Sequence, residues 1–137
     1  MLFRSSGSKI VIPSKKESTD PDWDFLGSAK MATGQSFNFF LNKKRINSIG
    51  NGIFNAWVLY DHEIGMQNVG GAVYKSEMVM EEYDCSKRKS DVKVVNCYSD
   101  HMGVGSVVGS YQSRYPSPYY VPPGSISDHV LDLICGK

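Results

Sequence analysis

The sequence predicts an α+β domain: a single antiparallel β-sheet of about six strands, with a C-terminal α-helix packed on one face. Short segments in which apolar and polar residues alternate recur along the chain, and glycine- and asparagine-rich turns separate them. The sequence lacks the long Ala/Leu/Glu/Lys blocks that are typical of helices. The one segment with helical periodicity comes last, at residues 125–137, and can therefore cover the sheet.

The composition is that of an ordinary globular protein. The 137 residues fit one domain, with 41% hydrophobic and 21% charged residues. A net charge of +1 gives no support to a general nucleic-acid binder, which needs a clear basic excess. The sequence has no apolar run long enough for a transmembrane helix and no signal-peptide core. We expect residues 1–22 to be a disordered lead-in, or a segment added for expression, and residues 23–137 to be the folded domain.

The first part of the domain contains three predicted strands. The first begins at Trp23, where the chain changes from polar to apolar. The second is "SFNFFLN", in which every second residue is apolar, so that one face carries Phe37, Phe39 and Leu41. The following "KKRINSIGNG" predicts a short strand that ends in an Asn-Gly turn.

The clearest strand signal is "IFNAWVLY", residues 53–60. Apolar residues occupy both of its faces, which predicts a central strand that is covered on both sides. The next segment, "DHEIGMQNVGGA" at 61–72, mixes charges with glycines and is predicted to be a loop.

Two further strands are predicted at 74–85 and 91–99, joined by a turn at 86–90. "GVGSVVGSYQ" at 103–112 alternates small and branched residues, as a tightly packed strand does. Residues 113–124 hold four of the six prolines and must be extended or turning.

The final helix has signals at both ends. Ser125 and Asp128 have the spacing of a capping box, and Gly136 stands where a C-terminal cap belongs. The predicted apolar stripe consists of Ile126, Val130, Leu133 and Ile134.

The three cysteines, Cys85, Cys97 and Cys135, do not have the spacing of a zinc site. If 76–85 and 91–99 form a tight hairpin, Cys85 and Cys97 are roughly 20 Å apart along the ladder. A disulfide needs Cα atoms within about 7 Å, so this pairing is disfavoured. A Cys85–Cys135 bond, which would pin the helix to the sheet, is favoured. A Cys97–Cys135 bond and three unpaired buried thiols remain as alternatives.

Signals for an enzyme or a metal site are weak. Asp100 and His101 follow Cys97 and could suggest a Cys–His pair, but they lie where a strand runs into a turn. His62 and His129 have no obvious partners. The chain has no nucleophile elbow, glycine-rich phosphate loop or H-E-x-x-H motif. We therefore predict no catalytic residues, no metal and no cofactor.

Several motifs occur in an order that resembles one known family. They are Trp23 near the start, a central "AWVLYD" strand, "YKSEMVMEEYDC", "MGVGSVV", "YYVPPGS" and a final helix that ends in "LDLIC". This order is similar to that of the surface-adhesin protein E family and covers residues 23–135.

The resemblance implies a fold and a biological setting. It implies a disulfide between sheet and helix, at the positions of Cys85 and Cys135. It also implies a non-enzymatic protein exported to the periplasm or cell surface of a Gram-negative bacterium, often as a lipoprotein. Homodimers and host matrix proteins such as vitronectin and laminin are the implied partners. The chain departs from the family in having Cys97 and in lacking a lipobox, so we expect the signal segment and any lipid anchor to lie outside it.

Two groups of residues are candidate binding residues. The turn residues Lys87, Arg88 and Lys89, with Lys93, could form a cationic spot for an acidic partner or a sulfated glycan, or a merely solvated turn. Residues 43–45 form a second basic cluster with the same two interpretations. Tyrosines decorate the proline-rich segment and could either bind a partner or cover the sheet; they are Tyr111, Tyr115, Tyr119 and Tyr120.

Three functional hypotheses follow. The first is a binding domain that adheres to host macromolecules. The second is a periplasmic or envelope accessory protein without a host ligand. The third, a small enzyme that uses Cys97 and His101, has the least support.

Overall fold

A computed structural model describes residues 22–136. The predicted lead-in lies outside this range apart from Asp22, so the domain boundary stays a prediction. Short 3-10 turns follow the second and the sixth strand. The elements are β1 (Trp23–Lys30), β2 (Ser36–Asn42), β3 (Asn47–Gly50), β4 (Ile53–Gln67), β5 (Val73–Asp84), β6 (Lys89–Tyr98), β7 (Val107–Gln112), β8 (Tyr119–Tyr120) and α1 (Ile126–Cys135).

The strands form one antiparallel sheet in the order β1-β2-β4-β5-β6-β7. These six strands correspond to the predicted sheet of about six. Two short strands complete an eight-stranded sheet within the described residues, β3 beside β4 and β8 beside β6. The predicted fold class, an antiparallel sheet with one helix on it, is confirmed.

The predicted loop at 61–72 is wrong in its first half, because β4 continues to Gln67 and pairs with β5 beyond a bulge. Asp61 and His62 look like loop residues, yet both are buried. Asp61 accepts a hydrogen bond from the backbone N–H of Met102 at 2.9 Å, and His62 Nε2 lies 2.7 Å from a Glu77 carboxylate oxygen. Partners that are distant in sequence therefore make these polar residues compatible with a strand.

The strand predicted at 103–112 begins later and is less packed than expected. His101–Gly103 form a 3-10 turn, and β7 starts at Val107. Val107 and Tyr111 are exposed because β7 lies at the edge of the sheet, where it has a neighbour on one side only.

Helix α1 covers one face of the sheet, as predicted. Ser125 caps it by accepting a hydrogen bond from the backbone N–H of Asp128 at 3.1 Å, and Gly136 ends it in the left-handed conformation. Among residues 22–136, no helix is long and apolar enough to cross a membrane. The core under the helix consists of Phe39, Leu41, Ala56, Val58, Tyr83, Val121, Val130 and Leu131.

Three of the four residues of the predicted apolar stripe, Ile126, Val130 and Ile134, pack in the core under the helix, and the prediction is wrong at the fourth, Leu133. Leu133 is 45% exposed, whereas Leu131 is fully buried. Cys135 must face the sheet, and Leu131 lies one turn before it on the same side of the helix. Because Cys135 must face the sheet, the orientation of α1 about its own axis buries Leu131 and leaves Leu133 exposed.

The opposite face of the sheet has a smaller apolar cluster, in keeping with the expectation that β4 is covered on both sides. Trp23, Phe40, Leu59 and Met102 are its buried members, and Trp57 and Met78 pack against them. The 3-10 turn that carries Met102 is the cover on this side.

Candidate functional site

A disulfide between Cys85 and Cys135 joins the end of β5 to the end of α1. The two Cα atoms are 5.8 Å apart, and Cys97 is a free thiol. The favoured pairing is thus the one observed. It holds the β5–β6 turn, which contains the predicted basic residues, against the helix.

Asp84 orders the β5–β6 turn from within. One of its carboxylate oxygens accepts hydrogen bonds from the backbone N–H groups of Ser86 and Lys87, both at 3.1 Å. The Lys87 N–H is the main cause of the lowered pKa of Asp84. The turn is therefore preorganised even before any partner binds.

Arg88, predicted to bind a partner, faces the helix. Its guanidinium donates to a carboxylate oxygen of Asp132 at 2.9 Å and to Asp128. Hydrogen bonds to these two carboxylates raise the pKa of Arg88. The side chain thus ties the turn to α1 alongside the disulfide, and both of its partners belong to this chain.

Lys93 is also paired within the chain. Its ammonium lies 2.9 Å from Asp91 and 3.9 Å from Glu82, and Asp91 is the main cause of its raised pKa. Its positive charge is largely balanced before any partner arrives.

The two groups of candidate residues meet at the start of β6. Strand β8 pairs there, with Tyr120 opposite Lys89 and Tyr119 opposite Ser90. The Lys89 ammonium lies 4.5 Å from the centre of the Tyr120 ring, a cation–π contact. We name this region, made of Lys87, Lys89 and Tyr120, the basic–tyrosine surface, whereas Tyr119 points to the α1 side of the sheet.

Exposure differs among the four tyrosines. Tyr120 is 73% exposed, and Tyr115 and Tyr111 are also exposed. Tyr115 lies two residues before Ser117, whose backbone N–H donates to Asp91 and so places this segment beside β6. Tyr111 lies instead on β7.

On the α1 side of the sheet, Tyr119 is anchored by a buried carboxylate that was not predicted from the sequence. Glu81 is only 4% exposed and accepts hydrogen bonds from the hydroxyls of Tyr83 and Ser90, both at 3.2 Å. The Tyr119 hydroxyl is 3.5 Å from Glu81 and 3.1 Å from the hydroxyl of Ser127 on α1. Burial raises the pKa of Glu81. In the sequence, the burial of Glu81 is indicated only by its position on the apolar face of β5.

The second basic cluster, Lys43–Arg45, is the 3-10 turn after β2. Lys43 pairs with Asp24 at 2.8 Å and Lys44 with Asp22 at 3.3 Å. No ion pair engages Arg45 within residues 22–136.

The residues of the enzyme hypothesis are not assembled. Cys97 lies opposite Glu77 in the ladder, whereas His101 lies 3.1 Å from Asp61, whose side chain is on the other face. Burial, and then Glu77, raises the pKa of Cys97, which disfavours a thiolate nucleophile. In the described part of the chain, no group of three or more His, Cys, Asp or Glu side chains could hold a metal ion.

Comparisons with known proteins agree with this fold. The family model of surface-adhesin protein E matches residues 23–136. The structure of Haemophilus influenzae protein E superimposes with a TM-score of 0.58 at 12% identity, over 82% of this chain and 83% of that chain. Protein E from non-typeable Haemophilus influenzae gives 0.57 at 12% identity, over 81% and 85%. No curated protein sequence matches. Because the family model spans nearly all of the described residues, the chain belongs to the surface-adhesin protein E family.

Proposed function

We propose that the chain is a non-enzymatic domain that adheres to host macromolecules, such as extracellular-matrix proteins, through the basic–tyrosine surface. Membership of the family implies an exported, surface-exposed adhesin. The contact between Lys89 and Tyr120 on a covalently held turn is the observation that supports this surface. Display at the cell surface and attachment through a lipid group belong to the same proposal.

The chemistry of the surface suits an acidic partner. Lys87 is exposed, and no salt bridge engages Lys87 or Lys89 within residues 22–136. Tyr120 offers a large, mostly exposed ring that loses little rotamer freedom on contact. The disulfide and the Arg88 ion pairs hold the turn, so little ordering is needed on binding.

The test measures binding of the protein to immobilised vitronectin, laminin and heparin, at low and at physiological salt. We expect a Lys87→Gln/Lys89→Gln variant to bind several-fold more weakly than wild type, with a smaller salt dependence, because exposed charges are screened. A Lys43→Gln/Lys44→Gln variant removes the same charge from paired lysines and is the matched control. No binding to any of the three by wild type would refute adhesion and favour an accessory role in the envelope.

We also propose that two copies pair through their β7 strands. As an edge strand of the described sheet, β7 has backbone groups that are available to another strand, apart from the Val108 carbonyl, which accepts from the Asn68 side chain at 3.1 Å. Residues 103–113 contain no charge and no proline, the features that usually block such pairing. A second copy could add antiparallel, with the same strand used by both partners.

Sedimentation velocity tests this dimer. Val107→Lys introduces a charge on β7 and should convert dimers to monomers, whereas Val104→Lys changes an equally exposed valine before the strand and should not. A monomeric wild type at all concentrations, or dimers that persist in Val107→Lys, would contradict pairing through β7.

A further inference from the structure

A groove of about 330 Å³ lies on the sheet face opposite α1. Both tryptophans of the chain line it, although they are far apart in sequence. Trp23 is only 6% exposed and packs in the apolar cluster of this face, whereas Trp57 is half-buried. The lining residues are Trp23, Asn42, Arg45, Trp57, Met78 and Tyr98.

Polar groups of this groove are hydrogen-bond donors with unused capacity. Within residues 22–136, no hydrogen bond engages the indole N–H groups, the Tyr98 hydroxyl or the Arg45 guanidinium. Asn42 uses its side-chain oxygen to accept from the backbone N–H of Lys44 at 3.1 Å, which leaves its NH₂ group. Among the described residues, His62 Nδ1 is the one fully buried side-chain polar atom without a partner, so the groove donors reach solvent.

The charge of the groove is positive. None of its lining residues is acidic. Lys43 and Lys44 are neutralised by Asp24 and Asp22, which leaves Arg45 as the unbalanced cation of this turn. A guanidinium binds a carboxylate in a two-pronged geometry. A ligand for this site should therefore carry an anionic group and several further acceptors.

The other lining side chains are mainly aromatic, namely Trp23, Trp57 and Tyr98. Indole and phenol rings offer broad apolar faces with a polar edge, which suits the C–H face and hydroxyl rim of a pyranose ring. The volume is at the lower end of small-ligand sites and fits one or two sugar rings. We propose that this groove binds an acidic sugar, with the ring against Trp57 and the carboxylate on Arg45.

The proposal is independent of the basic–tyrosine surface. The two sites share no residue: Lys89 and Tyr120 lie where β6 begins, whereas Tyr98, the groove residue of β6, lies at the other end of that strand. Loss of matrix binding in the Lys87→Gln/Lys89→Gln variant would leave sugar binding unchanged, so the two proposals can fail separately.

Tryptophan fluorescence provides a direct test, because both tryptophans are in the groove. The full chain is titrated with glucuronic acid and N-acetylneuraminic acid, and with glucose as the neutral control at equal ionic strength. We expect a saturable change with an acidic sugar and an affinity for glucose at least about tenfold lower, since glucose lacks the charged hydrogen bond. The sugar that binds more tightly, glucuronic acid or N-acetylneuraminic acid, shows which kind of acidic glycan the groove recognises.

Two variants sharpen the test. Arg45→Gln should lower the affinity for the acidic sugar about tenfold, because it removes the charge-assisted bond. Lys44→Gln, on the same turn but paired with Asp22, should bind as wild type does. No saturable change, equal affinity for glucose, or full affinity in Arg45→Gln would overturn the proposal. So would a response to a glutamate-rich peptide without a response to either sugar.

Discussion

At the scale of single residues, Glu81 is a carboxyl group in an apolar position. Its burial disfavours the charged form more than the hydrogen bonds from Ser90, Tyr83 and Tyr119 favour it, so its pKa is raised. The folded protein therefore holds this proton more tightly than the unfolded chain does. The free energy of unfolding must then fall as the pH rises from the ordinary glutamate pKa through the raised pKa of Glu81.

Glu81→Gln should remove this pH dependence and raise the free energy of unfolding at neutral pH. The amide keeps an acceptor for the tyrosine and serine hydroxyls without a buried charge. Urea unfolding at several pH values measures the effect. Glu82→Gln, at the next and half-buried position of β5, is the control and should leave the slope unchanged. A Glu81→Gln variant less stable than wild type at neutral pH would contradict a net cost of charge burial.

Single residues also show why some predictions from sequence were incomplete. The basic character of the turn at Lys87 and Lys89 is visible in the sequence, but the pairing of Arg88 with Asp128 and Asp132 is not. Those carboxylates lie far along the chain and become neighbours only when α1 docks. A cationic run in sequence therefore overstates the positive charge that is available to a partner.

At the scale of elements, α1 has the predicted position, and its predicted apolar face is wrong only at Leu133, since Leu131 is buried instead. Its capping residues Ser125 and Gly136 are local signals and predict both ends correctly. Its buried face depends on Cys135, whose partner Cys85 fixes the rotation. Helical periodicity alone is compatible with Leu133 or Leu131 facing the sheet, so only the tertiary link distinguishes them.

A pair of leucine variants tests this rotation. Leu131→Ala should lower the free energy of unfolding by about 2–5 kcal/mol, because it leaves a cavity at a fully buried position. Leu133→Ala makes the same chemical change at an exposed position and should change stability by about 0.5 kcal/mol or less. Urea denaturation measures both, and equal effects would contradict the observed orientation of α1.

The disulfide should contribute strongly to the docking of α1. It closes a loop with a sequence separation of 50, for which the chain-entropy estimate is about 4 kcal/mol. A Cys85→Ala/Cys135→Ala variant should lose stability of this order in urea denaturation. Cys97→Ala is the control for removing a thiol that is not in the disulfide. A stability equal to that of wild type would show that packing and the Arg88 ion pairs hold the helix without the bond.

At the scale of the whole molecule, the sequence predicts the layers better than the surfaces. The two apolar faces of β4 correctly indicate cover on both sides. The groove and the basic–tyrosine surface each join residues from distant elements, so no local pattern marks them. The continuation of β4 beyond residue 60 could not be predicted for the same reason, because the partners of Asp61 and His62 come from the 3-10 turn and from β5.

The domain boundary is a prediction at this scale. The Ser-, Lys- and Pro-containing composition of residues 1–22 predicts a disordered lead-in. On this prediction, a variant without residues 1–21 should unfold within about 0.5 kcal/mol of the full chain. Thermal and urea denaturation of both proteins measure this difference. A larger loss would place part of the N-terminal segment in the folded domain.

The position of Cys97 between the two bonded cysteines has a consequence for biosynthesis. As the chain is made from its N-terminus, Cys85 and Cys97 become available to an oxidant before Cys135 does. The earliest disulfide that can form is thus the non-native Cys85–Cys97 bond. If it forms, the native Cys85–Cys135 bond must replace it by exchange between a thiol and a disulfide. Once the sheet has formed, the raised pKa of Cys97 suppresses its thiolate and protects the finished bond from attack. Production of this domain in a compartment that oxidises thiols should therefore depend on catalysed reshuffling.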